Sequence, residues 1–338
     1  MAILSLQQAK NLGYKKVLFS FDCVGDTLLL MSALEYLHLQ SGQKILIGTR
    51  YKELVENCAY LDVLENFCED NFNKDSYAQL LEYGIEPIFI TATKFITVDG
   101  KNRPAWGDNH MLVNVCNKLG ITSPIQIKTK IFLTPEEMSY GRFFEKNQIA
   151  ITGAGWQKYK TIPFITLQKV VNTLNKKYNF VQIGHISDPL LDGVLDKRSS
   201  GLLRETASIL YNSDVLLSGI GGMMHLARAV DCRAVIGFSY AEPLHLENYA
   251  CNINVFTKCS SCKKCGLNEA FPYLVQCKDD FSCIKDIDYV DLCNAIEEQL
   301  NKKTKTLETD VVMPNPTPAN GIDDYLKRFG RIPDKEIC

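Results

Sequence analysis

The sequence predicts an α/β protein made of two doubly wound halves, each a parallel sheet flanked by helices. Three observations carry this. Short apolar runs alternate with helical patterns along most of the chain, the order from which parallel sheets with crossover helices are built. The alternation pauses near residues 134–148 and then restarts. Glycine-bearing turns follow strand ends in both halves, at Gly25 and at Gly219–Gly222, and sheets of this kind hold ligands beyond the carboxyl ends of their strands.

Taken in order, Lys16–Phe21 reads as a buried strand and Cys23–Gly25 as a turn. Asp26–Gln40 is a helical pattern rich in Leu, Met and Ala, stopped by Ser41-Gly42. Lys44–Gly48 is the next strand, which makes a right-handed parallel unit. Glu86–Ile90 is a further strand, and a helix is expected from His110 to Leu119. The second half opens with the strand Ile149–Gly153, followed by a helix at Phe164–Lys177 and a strand at Phe180–Ile183. The helix Leu202–Asn212, a strand at Val215, the helix Met223–Val230 and the strand Ala234–Phe238 complete it. Domains are expected at residues 1–145 and 146–300, with a C-terminal extension at 301–338. In that extension Met313–Pro318 reads as an extended linker and Ile322–Phe329 as a short helix that docks on the body or mediates assembly.

The chain has 338 residues, 46% of them hydrophobic, which suffices for two domains of ordinary size. Its 37 basic and 39 acidic residues leave no basic footprint for nucleic acid. Met1–Lys16 lacks an apolar run of signal-peptide length and no run reaches a membrane span. The expectation is a cytoplasmic protein whose 13 cysteines are free thiols, metal ligands or core residues rather than disulfides.

The most informative stretch is Ser218-Gly219-Ile220-Gly221-Gly222-Met223-Met224-His225. A strand runs into a glycine turn and the turn opens a helix, whose free N–H groups suit a phosphate; the alternative is a tight turn without a ligand. His225, one turn into the helix, reaches a phosphate or simply packs there. Asp188, in Gly184-His185-Ile186-Ser187-Asp188 after a strand, is placed to bind ribose hydroxyls. Cys259, Cys262, Cys265, Cys277 and Cys283 form C-x2-C-x2-C-x11-C-x5-C. Thiolates at this density suit structural zinc or iron, with Cys259, Cys262, Cys277 and Cys283 the preferred ligands; a loop of free thiols is the other reading. Arg103, Trp106 and His110 offer a grip for a sugar or an anionic acceptor, or an ordinary loop with an anchored tryptophan.

Four segments together resemble glycosyltransferase family 9, the heptosyltransferase family, over residues 16–300. They are Gly25-Asp26-Thr27-Leu28-Leu29-Leu30, Gly153-Ala154-Gly155-Trp156 with Lys160-Thr161-Ile162-Pro163, Gly221-Gly222-Met223-Met224-His225-Leu226-Ala227, and the cysteine segment. The resemblance implies a GT-B fold of two facing domains with a cleft between them, and an inverting transfer from a nucleotide-sugar. By resemblance the donor is ADP-heptose and the acceptor a lipopolysaccharide core or a protein hydroxyl. Asp26 would be the base that takes the acceptor proton, with Asp22 as fallback and a helix N-cap as its plain alternative. Lys160, rather than Lys158 or a merely solvated lysine, would meet the donor diphosphate with Gly221 and Gly222.

Where the family often has Asp-Thr-Gly before Met-His, this chain has Ile220-Gly221-Gly222, so an acidic or hydroxyl contact to the donor is missing. The Gly-Gly form and the cysteines resemble the branch that modifies bacterial autotransporters, which carries an iron-bound cysteine motif and forms a large oligomer. Two rivals stand beside the transferase. One is a sugar-nucleotide epimerase or hydrolase of the same fold. The other is a non-catalytic, metal-stabilised assembly protein.

Overall fold

The computed structural model describes residues 1–20, 23–92, 94–98, 101–105, 107–153, 155, 157–199, 202–239, 243–258, 282–302 and 307–317. For 69, 94–98, 101–105, 282 and 283 the backbone alone is described. The chain divides into two compact units, Met1–Phe132 with the segment from Val311, and Leu133–Asp310.

The first unit begins with β1 (Ile3–Leu4), α1 (Leu6–Asn11), β2 (Lys16–Phe19), α2 (Val24–Ser41), β3 (Ile45–Gly48), α3 (Lys52–Val55) and β4 (Leu61–Leu64). It continues with α4 (Lys74–Glu82), β5 (Glu86–Phe89), the hairpin β6 (Lys94–Val98) and β7 (Lys101–Ala105), α5 (Met111–Lys118) and β8 (Ile125–Gln126). Its sheet is parallel in the order β1-β4-β3-β2-β5. Phe19 and Phe89 stack at 4.8 Å on neighbouring strands and Phe72 closes edge-on at 4.7 Å. α2 buries Leu28, Leu29, Leu30, Met31, Ala33 and Leu34 in succession, so it is a core helix rather than an amphipathic one. It stops where Gly42 takes the left-handed conformation, φ 69°. Asp62 in the middle of β4 ties the edge together. It accepts from the Ala2 amide at 2.7 Å, the Tyr14 hydroxyl at 2.8 Å and Lys44 at 3.2 Å.

The second unit runs α6 (Pro135–Ser139), β9 (Gln148–Ile151), α7 (Phe164–Leu174), β10 (Asn179–Gln182), β11 (Leu195–Asp196) and α8 (Leu203–Tyr211). It then runs β12 (Val215–Gly219), α9 (Gly222–Ala229), β13 (Ala234–Phe238), β14 (Ile253–Phe256) and α10 (Tyr289–Asn301). All six strands are parallel, in the order β11-β10-β9-β12-β13-β14. Counted from β9 this is 3-2-1-4-5-6, the dinucleotide-binding arrangement. Ile149, Ile151, Leu217 and Val235 pack with Val170 and Val171 of α7 and Leu292 and Ile296 of α10, all fully buried. Each such aliphatic side chain contributes ~1.5–3 kcal/mol when buried. Residues 133–145 belong to this unit: Glu137, in the Thr134 capping box of α6, pairs with Arg204 of α8 at 2.5 Å through both oxygens.

The segment read as an extended linker is held to the first unit over its described residues. β15 (Val311–Val312) pairs antiparallel with β8, and Asn117 accepts from the Asn315 and Thr317 amides. The helix expected at 322–329 lies outside the described residues. Among the described residues no helix is long and apolar enough to cross a membrane.

Candidate active site

In each sheet the strand that starts the doubly wound motif has neighbours reached by opposite routes, and this opens a crevice at its carboxyl end. In the second unit that strand is β9, between β10 and β12. Thr152 and Gly153 leave β9 there, and Ile220 and Gly221 leave β12. A single-turn 3-10 helix, Lys158–Lys160, lies across these exits. Gly219 is required by that crossing, since a Cβ on it would sit 1.9 Å from the Lys160 carbonyl oxygen. The Thr161 hydroxyl locks the loop by accepting from the Gly155 amide at 3.1 Å while lying 3.1 Å from the Gln157 carbonyl.

α9 starts at the same place. Gly221, its N-cap, has φ 144° and ψ −157°, a region open essentially to glycine alone, and supplies no side-chain cap. Space beside its Cα is open to at least 4 Å. Among the described residues the N–H groups of Gly222 and Met223 have no acceptor, as expected for an uncapped first turn.

Beneath this turn lies a buried polar chain. Lys160 donates to Glu247 Oε1 at 2.7 Å, and Glu247 Oε2 is 3.3 Å from His225 Nε2. His225 Nδ1 is 2.6 Å from the Tyr249 hydroxyl. Both ring nitrogens of His225 thus face protein groups. Lys160 faces inward onto Glu247 whereas Lys158 is exposed. Arg228, 2% exposed, lies over the Tyr249 ring and binds Asp231 and Thr309.

Asp188 follows β10, where the sequence places a ribose ligand. One of its oxygens already accepts from the His185 amide at 3.0 Å, closing the turn in which it sits.

In the first unit β2 is the equivalent strand, between β3 and β5. The helix expected to begin at Asp26 begins at Val24, and Cys23, read as part of a turn, is its N-cap. The Cys23 sulfur accepts from the Asp26 amide at 3.5 Å and donates to Asp26 Oδ2 at 2.9 Å. Asp26 is therefore the third helical residue, not the cap, and its half-buried carboxylate stands at the helix N-terminus. The fallback base Asp22 lies outside the described residues.

His110 is buried and caps α5, accepting the Leu112 amide at 3.1 Å. Arg103 is on β7, with only its backbone described, and Trp106 lies outside the described residues. So do Cys259, Cys262, Cys265 and Cys277, and of Cys283 only the backbone is described. Seven cysteines are described, all as free thiols. Burial pushes the Cys116 thiol up to about 12 and the Cys293 thiol to about 11, and raises Cys58, Cys232 and Cys251 as well. These five are buried thiols of the core. Among the described residues no cluster of metal-ligating side chains occurs.

A family 9 glycosyltransferase from Veillonella parvula DSM 2008 superposes with a TM-score of 0.62 at 14% identity, over 85% of this chain and 97% of that one. The ADP-heptose LPS heptosyltransferase II of E. coli gives 0.61 at 11%, over 85% and 98%. The iron-containing, dodecameric glycosyltransferase TibC of enterotoxigenic E. coli H10407 gives 0.62 at 13%, over 85% and 76%. The chain has the fold of the family 9 glycosyltransferases. No family model matches the sequence, and no curated protein matches it either. The GT-B class expected from the four segments is therefore present as a fold. Within that glycosyltransferase fold Asp26 heads the first unit's switch-point helix, and Gly221, Gly222 and Lys160 gather at the second's. Glu247, Tyr249 and Arg228 were not read from the sequence. Only a folded sheet brings Glu247 to a lysine 87 positions away.

Proposed function

We propose that this chain is an inverting glycosyltransferase that moves a heptose from ADP-heptose to a hydroxyl of a lipopolysaccharide core or a protein. The observation that carries the reading is that the Lys160 backbone crosses Gly219 at the end of β12, just before the uncapped start of α9, and that Glu247 links the Lys160 ammonium to His225 of that helix. An inward-facing cation and open N–H groups fit the diphosphate of a sugar nucleotide. The likeness to heptosyltransferases, one of them solved with ADP-D-β-D-heptose, supports the sugar and the base. Asp188 would contact the ribose.

In the reaction the acceptor oxygen attacks the sugar C1 as the C1–oxygen bond to the diphosphate breaks. Asp26 takes the acceptor proton. The nucleoside diphosphate leaves with its developing charge on Lys160 and the Gly222 and Met223 amides. Cys259, Cys262, Cys277 and Cys283 are the proposed ligands of a structural zinc or iron, and the transfer routes no step through it. Homo-oligomer formation is proposed from the likeness to TibC.

Calorimetric titration with a panel of sugar nucleotides tests the reading. One donor is expected to bind, with affinity falling about 30-fold or more in Lys160→Ala. A folded wild-type protein that binds none of the panel would sink it.

A further inference from the structure

Glu247 has no part in the transfer chemistry, yet it is the group to which the site's cation is tied. Its side chain is 5% exposed and that of Lys160 15%. One oxygen takes the lysine and the other faces His225, itself anchored by Tyr249. Glu247 follows the 3-10 turn Leu244–Leu246, which comes after β13 in the chain. Buried partners of opposite charge each depend on the other for compensation.

We propose that Glu247 is an internal counterion that limits how tightly the second unit holds a diphosphate. The inference rests on the donor-site reading above. The diphosphate shares Lys160 with a fixed carboxylate instead of meeting an uncompensated ammonium. The same carboxylate repels the phosphates at short range through a poorly screened medium. The consequence is a site that binds the charged donor yet lets the nucleoside diphosphate go once the sugar has been transferred. Release of product is a step that commonly limits turnover in enzymes that enclose their substrates.

The test is a ladder of ligands that differ only in phosphate charge. Adenosine, AMP and ADP are titrated calorimetrically into the full chain, as wild type and as Glu247→Gln. Removing the carboxylate charge is expected to tighten ADP about tenfold, AMP by less, and adenosine not at all. Glu247→Gln takes the carboxylate charge away from Lys160 and risks misfolding. The double variant Lys160→Met/Glu247→Gln, which removes both charges of the pair together, is therefore titrated as well; because the pair has no net charge it is expected to keep ADP affinity within about threefold of wild type, and a fall of about 30-fold overturns the proposal. In Glu247→Gln, ADP affinity that is unchanged or weaker overturns it too, as does an equal gain for adenosine. A wild type that binds ADP no better than adenosine overturns the donor-site reading, and this inference with it.

Discussion

At the switch point of the first sheet the chain enters α2 through Cys23, whose sulfur caps the helix and holds Asp26. At the switch point of the second it enters α9 through Gly221, which has no side chain to cap with. The strand neighbourhood is alike in both, a first strand flanked by its second and fourth. The local sequence makes the difference. One helix start carries its own anion within its first turn, and the other leaves N–H groups open and a lysine nearby. An anionic ligand is favoured at the second and disfavoured at the first. The same topology thus yields a candidate base in one unit and a candidate anion site in the other.

The largest effect is expected from removing the anion of the first unit. Asp26→Asn keeps the shape of α2 and its cap, so the melting midpoint should stay within about 2 °C of wild type. Transfer should fall by ~10²–10⁴-fold, the usual loss for a general base. Product formation from ADP-heptose, followed by mass spectrometry, measures it. Near wild-type turnover would show that the first unit's helix start is only structural. The matching change in the second unit is Gly221→Ala. Its backbone conformation costs a residue with a Cβ ~1–3 kcal/mol, and the methyl takes up space that is open in the wild type. Thermal unfolding should fall by several degrees, and nucleotide-sugar binding should weaken about tenfold. A stable variant that binds normally would remove α9 from the site.

The units also differ in how each uses a buried carboxylate. Glu247 lies at the switch point, whereas Asp62 sits mid-sheet and holds Ala2, Tyr14 and Lys44. Burial pushes the Asp62 carboxyl up, but these three donors outweigh it and hold it below the ordinary aspartate range. A depressed carboxylate stabilises the fold fully above its unfolded value and loses that contribution as pH falls through the folded one. Urea unfolding of wild type and Asp62→Asn should therefore differ by a constant amount above about pH 5, wild type being the more stable. The gap should close below about pH 4. A gap independent of pH would mean that Asp62 acts by shape and not by charge.

How far the sequence spoke for itself followed from how local each signal was. β2, β3, β9, β12 and β13 were legible because each is an apolar run buried on both faces, and Gly42 stops α2 as its position suggests. β4 was missed because Asp62 interrupts its apolar run. α1 was missed although Ser5 and Gln8 form a capping box, since six residues carry little periodicity. Asp26, Lys160 and Gly221 stand in short motifs that single them out as candidates. The Glu247–His225–Tyr249 chain was not legible, because its partners come from different elements and no spacing encodes them.

The smallest effect probes the cap that distinguishes the two helix starts. Cys23 is an uncommon N-cap, and its long sulfur contact with the Asp26 amide, 3.5 Å, is a weak acceptor bond. Cys23→Ser offers a harder oxygen to the same amide and a stronger O–H donor to the same carboxylate. Stability should rise by ~0.5 kcal/mol. If Asp26 is the base, a firmer hydrogen bond to its carboxylate makes it a poorer proton acceptor, and the rate of transfer should drop by a few-fold. The two readouts therefore move in opposite directions. A stabilised variant with unchanged transfer would separate the cap from the chemistry, leaving Cys23 to the fold alone.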